Sequence, residues 1–505
     1  MDVESNYEID RTANYIFSRK FTRVALQFPD ELLKDATKVV RALRQKLRAL
    51  VECDEKSNRE GREAGLFVMA DTTYGSCCVD EVGASHINAE CVIHYGHTCL
   101  SPTSTLPAFF VFGKASISVS NCAETIGEFA SSHDKPVLIL FGLEYAHAMQ
   151  DIQETLVAET SKLWRSTSKP NILYAEVLCS TKDPLKDHMI PNGQAEIVGG
   201  HKANGKCNAE GETGAGIRYC IGGLTWILLN GYRIEDFLLF WIGPDNSAFT
   251  NVVLRFNGCE IVRYDAAEKC LVTDLSQQKR ILKRRYYLVE KAKDANIIGI
   301  LVGTLGVAGY LPMIYQMKEL ITRAGKKAYT LVMGRPNPAK LANFPECDIF
   351  VFVSCEQTAL LDSKEFLAPV ITPFEAMLAF SRGSQWTGAY TMEFGSLINL
   401  PFESQVYSNE ARFSFFQGGY VEEQDEKDKS DDQEEVSALA VATEKTLQVR
   451  NKSPNFLVKG TAKSGAEYLA ARSYQGLGAH DDDSLPMPFL IGRTGKASGY
   501  EDEKR

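Results

Sequence analysis

Residues 66–101 read LFVMADTTYGSCCVDEVGASHINAECVIHYGHTCLS. The apolar run at 66–70 has the length and character of a buried strand, and residues 71–76 supply the turn formers that end one. The vicinal pair Cys77-Cys78 follows, then a short helix over 79–88 and a second apolar strand over 91–95. That strand ends in Gly96-His97-Thr98-Cys99. Strand, helix and strand in alternation predict a parallel α/β sheet. The thiols then stand just beyond the carboxyl ends of strands, the edge where open α/β sheets place their ligands. Far downstream, Asp348-Ile-Phe-Val-Phe-Val-Ser-Cys355 repeats the context: an apolar strand that ends in a cysteine.

Outward from this stretch the alternation continues. Residues 1–20 read as a polar helical lead-in and 23–28 (RVALQF) as a first strand. A helix then runs from Pro29 to about residue 50, with proline and acids in its first turn, where both are favourable. The polar insert 54–64 is a loop, and 109–112 and 116–119 look like further strands. Residues 136–141 (PVLILF) open a second unit. It continues through a helical segment at 144–164, a strand at 171–177 and a long Gly-, Lys-, Asn- and Glu-rich surface loop at 180–216. A strand at 237–242 then ends at Gly243, and a helix and a strand at 260–264 follow. Residues 296–302 open a third unit, with a helix at 311–324, a strand at 328–333, the Gly334-Arg-Pro-Asn-Pro turn, the strand before Cys355 and a helix at 373–380.

The segments AECVIHYG, EDFLLFWIG and ECDIFVFVSC each set an acid before an apolar strand, the mark of an internal triplication. Two of the three equivalent strand ends carry a nearby cysteine, and the middle one has Gly243. The expected fold class is therefore α/β, with three related parallel-sheet domains at 1–132, 133–293 and 294–402. Residues 403–505 are expected to form an acidic linker and a largely disordered tail. A short helix is expected near 464–475, opened by the Ser464/Glu467 capping box and ended by Gly476.

A chain of 505 residues with 44% hydrophobic and 10% aromatic residues can bury several cores. Its formal charge of -10 is mostly local, since residues 422–435 hold nine acids against Lys427 and Lys429. The rest is near balance without a basic stripe, which argues against direct nucleic-acid binding. No apolar run approaches the roughly 18 residues of a membrane span. The acidic, polar start is unlike a signal or transit peptide, so a soluble, cytoplasmic protein is expected. Thirteen cysteines, an odd number without a signal peptide, argue for reduced thiols. Cys53, Cys91, Cys122, Cys179, Cys220, Cys259, Cys270 and Cys347 read as small buried hydrophobes.

The first candidate for chemistry is a metal site from Cys78, Cys99 and Cys355, with Cys77 as a spare. Adjacent residues in a helix diverge by roughly 100°, so one of the pair is expected to bind. Such thiolates accept an iron–sulfur cluster or zinc, and the plain alternative is three structural cysteines. The stretch from Gly200 to Cys207 nearly spells a phosphate loop, but Cys207 stands where a hydroxyl should meet magnesium, so it reads as loop. The sequence from Gly303 to Gly309 (GTLGVAG) reads as a tight strand-to-helix turn. His94 reads as a satisfied buried histidine, and His97 as a neighbour of the ligands or an exposed loop residue.

At ADTTYGSCCVDE (70–81), HYGHTCLSP (94–102), GRPNPAKLANFPECDIFVFVSCE (334–356) and ARSYQGL (471–477), the chain resembles the diphthamide-synthesis family, and within it the eukaryotic second-subunit type. The resemblance covers about residues 23–402 plus the late segment. It implies three α/β domains arranged pseudo-symmetrically, with cysteines of different domains converging on a 4Fe-4S cluster. It implies cleavage of S-adenosylmethionine to a 3-amino-3-carboxypropyl radical, which is added to a histidine of translation elongation factor 2. The implied partners are a first subunit in a heterodimer, which carries the catalytic cluster, and a small electron-donor protein. This chain would assist reduction of that cluster. Carried over residue by residue, the ligands are Cys78, Cys99 and Cys355, with the choice between Cys77 and Cys78 open. The family's catalytic members also take a ligand from the middle domain. No cysteine stands at a strand end there, which fits a relay or structural role better than substrate cleavage. A purely structural subunit, zinc-binding or metal-free, is the alternative.

Overall fold

The computed structural model describes residues 3–53, 64–70, 74–163, 171–178, 180–184, 196–197, 216–229, 231–361, 364–381, 384, 386–398, 412–416 and 418–421. Three sheets are built on parallel strands. In the first, β1 (Arg23–Gln27), β2 (Gly65–Met69), β3 (Cys91–Tyr95) and β4 (Ala108–Val111) lie in the order 2-1-3-4. In the second, β5 (Val137–Phe141), β6 (Ile172–Tyr174), β7 (Leu238–Ile242) and β8 (Ile261–Asp265) repeat that order, and Cys270–Val272 adds an antiparallel edge. In the third, β9 (Ile297–Val302), β10 (Lys327–Val332), β11 (Ile349–Val353) and β12 (Val370–Ile371) do so again. The segments with an acid before an apolar strand are β3, β7 and β11, the third strand of each sheet.

Residue type explains why these runs are strands. β3, β5, β7 and β11 are buried at every position. A parallel sheet covered on both faces wants a continuous apolar run of this kind rather than alternation. The helices that cover the sheets are one-faced. Val119–Ser131 buries Cys122, Ala123, Ile126, Phe129 and Ala130, and Tyr310–Arg323 buries Met313, Ile314, Met317, Leu320 and Ile321.

The structure differs from the sequence reading at several elements. Residues 116–119 form no strand, because Ser118 is the extended residue that precedes the helix Val119–Ser131. The helix expected from Pro29 is two, Asp30–Leu33 and Ala36–Cys53. The strand expected at 171–177 divides between two sheets: Ile172–Tyr174 joins β5, and Glu176–Val177 pairs with Leu224–Leu229. Within the expected loop at 180–216, Thr181–Lys182 pairs antiparallel with β4, and Glu196–Ile197 pairs with Gly216–Ile221. An unanticipated hairpin joins Gly216–Ile221 to Leu224–Leu229. Its two-residue turn, Gly222-Gly223, has φ +54 and +88, the left-handed pair such a turn requires.

Beyond residue 402, where linker and tail were expected, Arg412–Ser414 and Gly419–Val421 form a small hairpin. It meets the end of the helix Leu275–Lys293: Ser414 Oγ donates to Asp294 Oδ2 at 2.6 Å, and Phe416 packs edge-on against Tyr287 at 5.4 Å. The expected helix at 464–475 and the Gly200–Cys207 stretch lie outside the described residues. No helix among the described residues is long and apolar enough to cross a membrane.

Candidate metal centre

The route from β2 to β3 crosses the carboxyl edge of the first sheet before any helix begins. Cys78 N donates to Gly75 O at 3.1 Å, which closes a turn through the vicinal pair. The helix starts only at Glu81, after Asp80 accepts from Gly83 N at 2.8 Å as its cap. The roughly 100° divergence of helical neighbours therefore does not apply, and Cys77 and Cys78 both face the same buried group. After β3, Gly96 turns the chain with φ +86 and brings Cys99 back. Cys99 N and Thr98 Oγ1 both donate to Cys77 O, at 3.1 and 3.2 Å, so the two loops of the first sheet are joined.

Cys355 enters from the third sheet, two residues past β11. Its Sγ lies 3.3 Å from Cys77 Sγ, and Cys99 Sγ lies 3.8 Å from Cys78 Sγ. All four sulfurs are within 4.8 Å of one another, all four residues are buried, and the group contains neither carboxylate nor imidazole. The structure thus brings Cys78, Cys99 and Cys355 together and adds Cys77. Among the described residues the middle sheet gives no thiol to the group, and β7 is followed by Gly243 with φ +148.

Buried amides hold the cysteine loops. Gln27, the last residue of β1, donates from Nε2 to Cys78 O and accepts at Oε1 from Asp80 N, both at 2.9 Å. Gln357 Nε2 donates to Thr98 O at 3.3 Å, which links the Cys355 loop to the Cys99 loop. Asn251, on the helix Ser247–Arg255 beside the middle sheet, donates to Glu356 Oε2 at 3.0 Å. His94 is buried, and its Nε2 shares a hydrogen bond of 3.0 Å with Ser76 O, next to Cys77. The Gly303–Gly309 turn docks on the same region, with Ala308 N donating to Pro102 O at 3.0 Å and Gly306 pressed on Val79 O. Gly309, at φ +86, precedes the helix Tyr310–Arg323. Of these groups sequence reasoning had singled out only His94 and the glycine turn. The polar Gln27 closing the apolar run RVALQ was the one further legible signal.

Electrostatically the four thiols act as one unit. Hydrogen bonds from Cys77, Cys78 and Cys99 hold Cys355 well below the usual thiol range. Cys78 and Cys99 go the other way, chiefly through their hydrogen bonds with Cys355, and burial adds to the rise. A metal that binds there displaces whatever protons the thiols still carry. A dry set of four soft donors fits a soft metal, zinc or iron–sulfur, and does not fit magnesium or calcium.

Beside the centre, His97, Thr98, Phe141, Trp241, Asn251 and Gln357 line a hollow of about 20 Å³. The hairpin tip at Ile221-Gly222 lines it as well, and the space is roughly that of one water. His97 is exposed at its rim.

A sequence model of the diphthamide synthesis protein family matches residues 28–391. Curated relatives called 2-(3-amino-3-carboxypropyl)histidine synthase subunit 2 align along almost the whole chain. The one from Danio rerio is 34% identical over 98% of this chain and 91% of its own length. That from Gallus gallus is 35% identical over 100% and 94%, and that from Schizosaccharomyces pombe 31% identical over 99% and 92%. A more distant likeness is the crystal structure of Dph2 from Pyrococcus horikoshii with a 4Fe-4S cluster. It is 19% identical, covers 76% of this chain and 93% of its own, and has a TM-score of 0.49.

Proposed function

This chain belongs to the diphthamide synthesis protein family, and from that premise we propose that it is the iron–sulfur subunit of a heterodimer acting in the cytoplasm. The heterodimer transfers the 3-amino-3-carboxypropyl group of S-adenosylmethionine to a histidine of translation elongation factor 2. A first subunit carries the catalytic cluster, a small electron-donor protein supplies electrons, and this chain assists reduction of the partner's cluster. Cys77, Cys78, Cys99 and Cys355 would hold a 4Fe-4S cluster here, and the cluster supplies one-electron transfer when bound. The remaining work is that of the chain itself: it excludes water, keeps the sulfurs together and orients the two loops through Gln27 and Gln357.

The observation that carries this reading is the buried all-thiol group drawn from two sheets. The common 2-1-3-4 order of the sheets supports the division into domains at 1–132, 133–293 and 294–402 and a pseudo-symmetric arrangement.

One observation favours a second reading, a structural zinc subunit of the same enzyme. Sulfur separations of 3.3 and 3.8 Å approach the roughly 3.8 Å edge of a tetrahedron with Zn–S bonds of about 2.3 Å. A cubane, whose irons occupy separate corners, spreads its thiolates wider. The test is anaerobic, S-adenosylmethionine-dependent modification of elongation factor 2 by the partner with wild-type chain, with Cys99→Ser or Cys355→Ser chain, or with none. Under a limiting physiological donor, modification is expected only with the wild-type chain. Full modification with the Cys355→Ser chain would reduce its role to that of a scaffold.

A further inference from the structure

We propose that Thr358 is a positioning residue that sets the reduction potential of the metal centre through a hydroxyl shared between Cys77 and Cys355; this inference rests on the iron–sulfur reading above. Thr358 Oγ1 lies 3.3 Å from Cys77 Sγ and 3.2 Å from Cys355 Sγ. The same residue's backbone N–H donates to Cys355 Sγ at 3.4 Å. The turn that carries it is fixed by Ala359 N donating to Cys355 O at 2.9 Å. Thr358 thus reaches one sulfur from the first sheet and one from the third.

The opposite wall is built to admit this hydroxyl. A Cβ added at Gly75 would meet Thr358 Oγ1 at 2.5 Å and Cys77 Sγ at 3.5 Å. Only a residue without a side chain leaves the hydroxyl its place, and the constraint at Gly75 is one of space, not of backbone conformation.

The chemistry follows from proton count. A threonine hydroxyl has one hydrogen, so between two metal-bound thiolates it donates to one sulfur at a time. A donated hydrogen bond withdraws charge from the sulfur and favours the reduced, more negative centre. Thr358→Val keeps the shape and the backbone N–H and removes the hydroxyl alone. Thr358→Ser restores it.

The full-length chain and its variants are reconstituted anaerobically, iron and sulfide are counted, and each is titrated against redox dyes with optical and EPR readout. Thr358→Val is expected to load fully and to lower the ratio of reduced to oxidised centre at fixed potential about tenfold, which for a one-electron couple is a shift of about 59 mV to the negative side. Thr358→Ser should titrate with wild type, and Gly75→Ala, which displaces the hydroxyl, should move the same way as Thr358→Val. A fully loaded Thr358→Val at the wild-type potential would overturn the inference and leave the iron–sulfur reading intact. If Thr358→Val does not load, Gly75→Ala decides, and a wild-type potential there overturns the inference. A protein that takes up only zinc overturns both.

Discussion

Cys77 and Cys78 show what a residue pattern does and does not disclose. The apolar strands and glycine turns around them place thiols at a sheet edge, and that much was legible. Whether both could enter one site depended on where the next helix starts. The Asp80 cap delays it to Glu81, so the pair sits in a turn instead of on a helix. Cap geometry of this kind is weakly written in sequence. The partners Gln357, Asn251 and Thr358 were not legible, because their roles depend on contacts between distant loops; Gln27 was marked only as a polar residue closing an apolar run. A further consequence concerns Glu393. Burial first, and the charge of Glu356 second, raise its carboxyl from 4.5 to about 7, while Ser396 Oγ, at 3.1 Å, opposes the rise. Between those two values the folded chain keeps a proton that the unfolded chain has released. The stability tied to this group is therefore present below about pH 4.5 and lost as the pH climbs to 7. Glu393→Gln in metal-free protein should stabilise the fold at pH 8 relative to wild type by on the order of 2–3 kcal/mol and have little effect near pH 4.5. Denaturant melts at the two pH values check this, and equal differences at both would contradict it.

At the scale of elements, long apolar strands and one-faced helices were readable, whereas short edge pieces were not. β3, β7 and β11 declare themselves because burial on both faces demands unbroken apolar runs. Glu176–Val177 and Thr181–Lys182 have two residues each, and their pairing is set by the sheets they reach. The hairpin around Gly222-Gly223 did carry its signal, two glycines between apolar runs; the polar stretch before it obscured that signal. The helices Leu275–Lys293 and Pro373–Phe380 are locked by a buried pair. Arg285 meets Glu375 at 2.6 and 2.9 Å, and Tyr390 OH donates to Glu375 Oε1 at 3.1 Å. With side chains only 6% and 0% exposed, removal of one charge strands the other. Arg285→Met should cost about 3–5 kcal/mol, and the double variant Arg285→Met/Glu375→Leu should recover much of it. Hydrogen exchange across residues 373–380 reads this locally. A single variant as protected as wild type would show that the pair does not hold the helix.

At the scale of the molecule, the common strand order explains how two sheets can share one small site. Each 2-1-3-4 sheet delivers loops to its carboxyl edge, and Cys99 and Cys355 both follow a third strand. The first and third sheets spend those edges on sulfur; Asn251, on the helix beside the second, reaches Glu356, and a hairpin from a separate antiparallel sheet lines the hollow. The repeated strand order was visible in the sequence as a weak echo, while the meeting of the sheet edges was not, because no local pattern encodes it. The most direct measurement is a count of iron, sulfide and zinc per chain in protein reconstituted anaerobically. It compares wild type with Cys77→Ser, Cys78→Ser, Cys99→Ser and Cys355→Ser. The account predicts iron and sulfide in equal amount, close to four of each per chain, with a marked loss in every single variant. Metal content unchanged in Cys99→Ser and Cys355→Ser, or no metal bound by the wild-type chain, would contradict it.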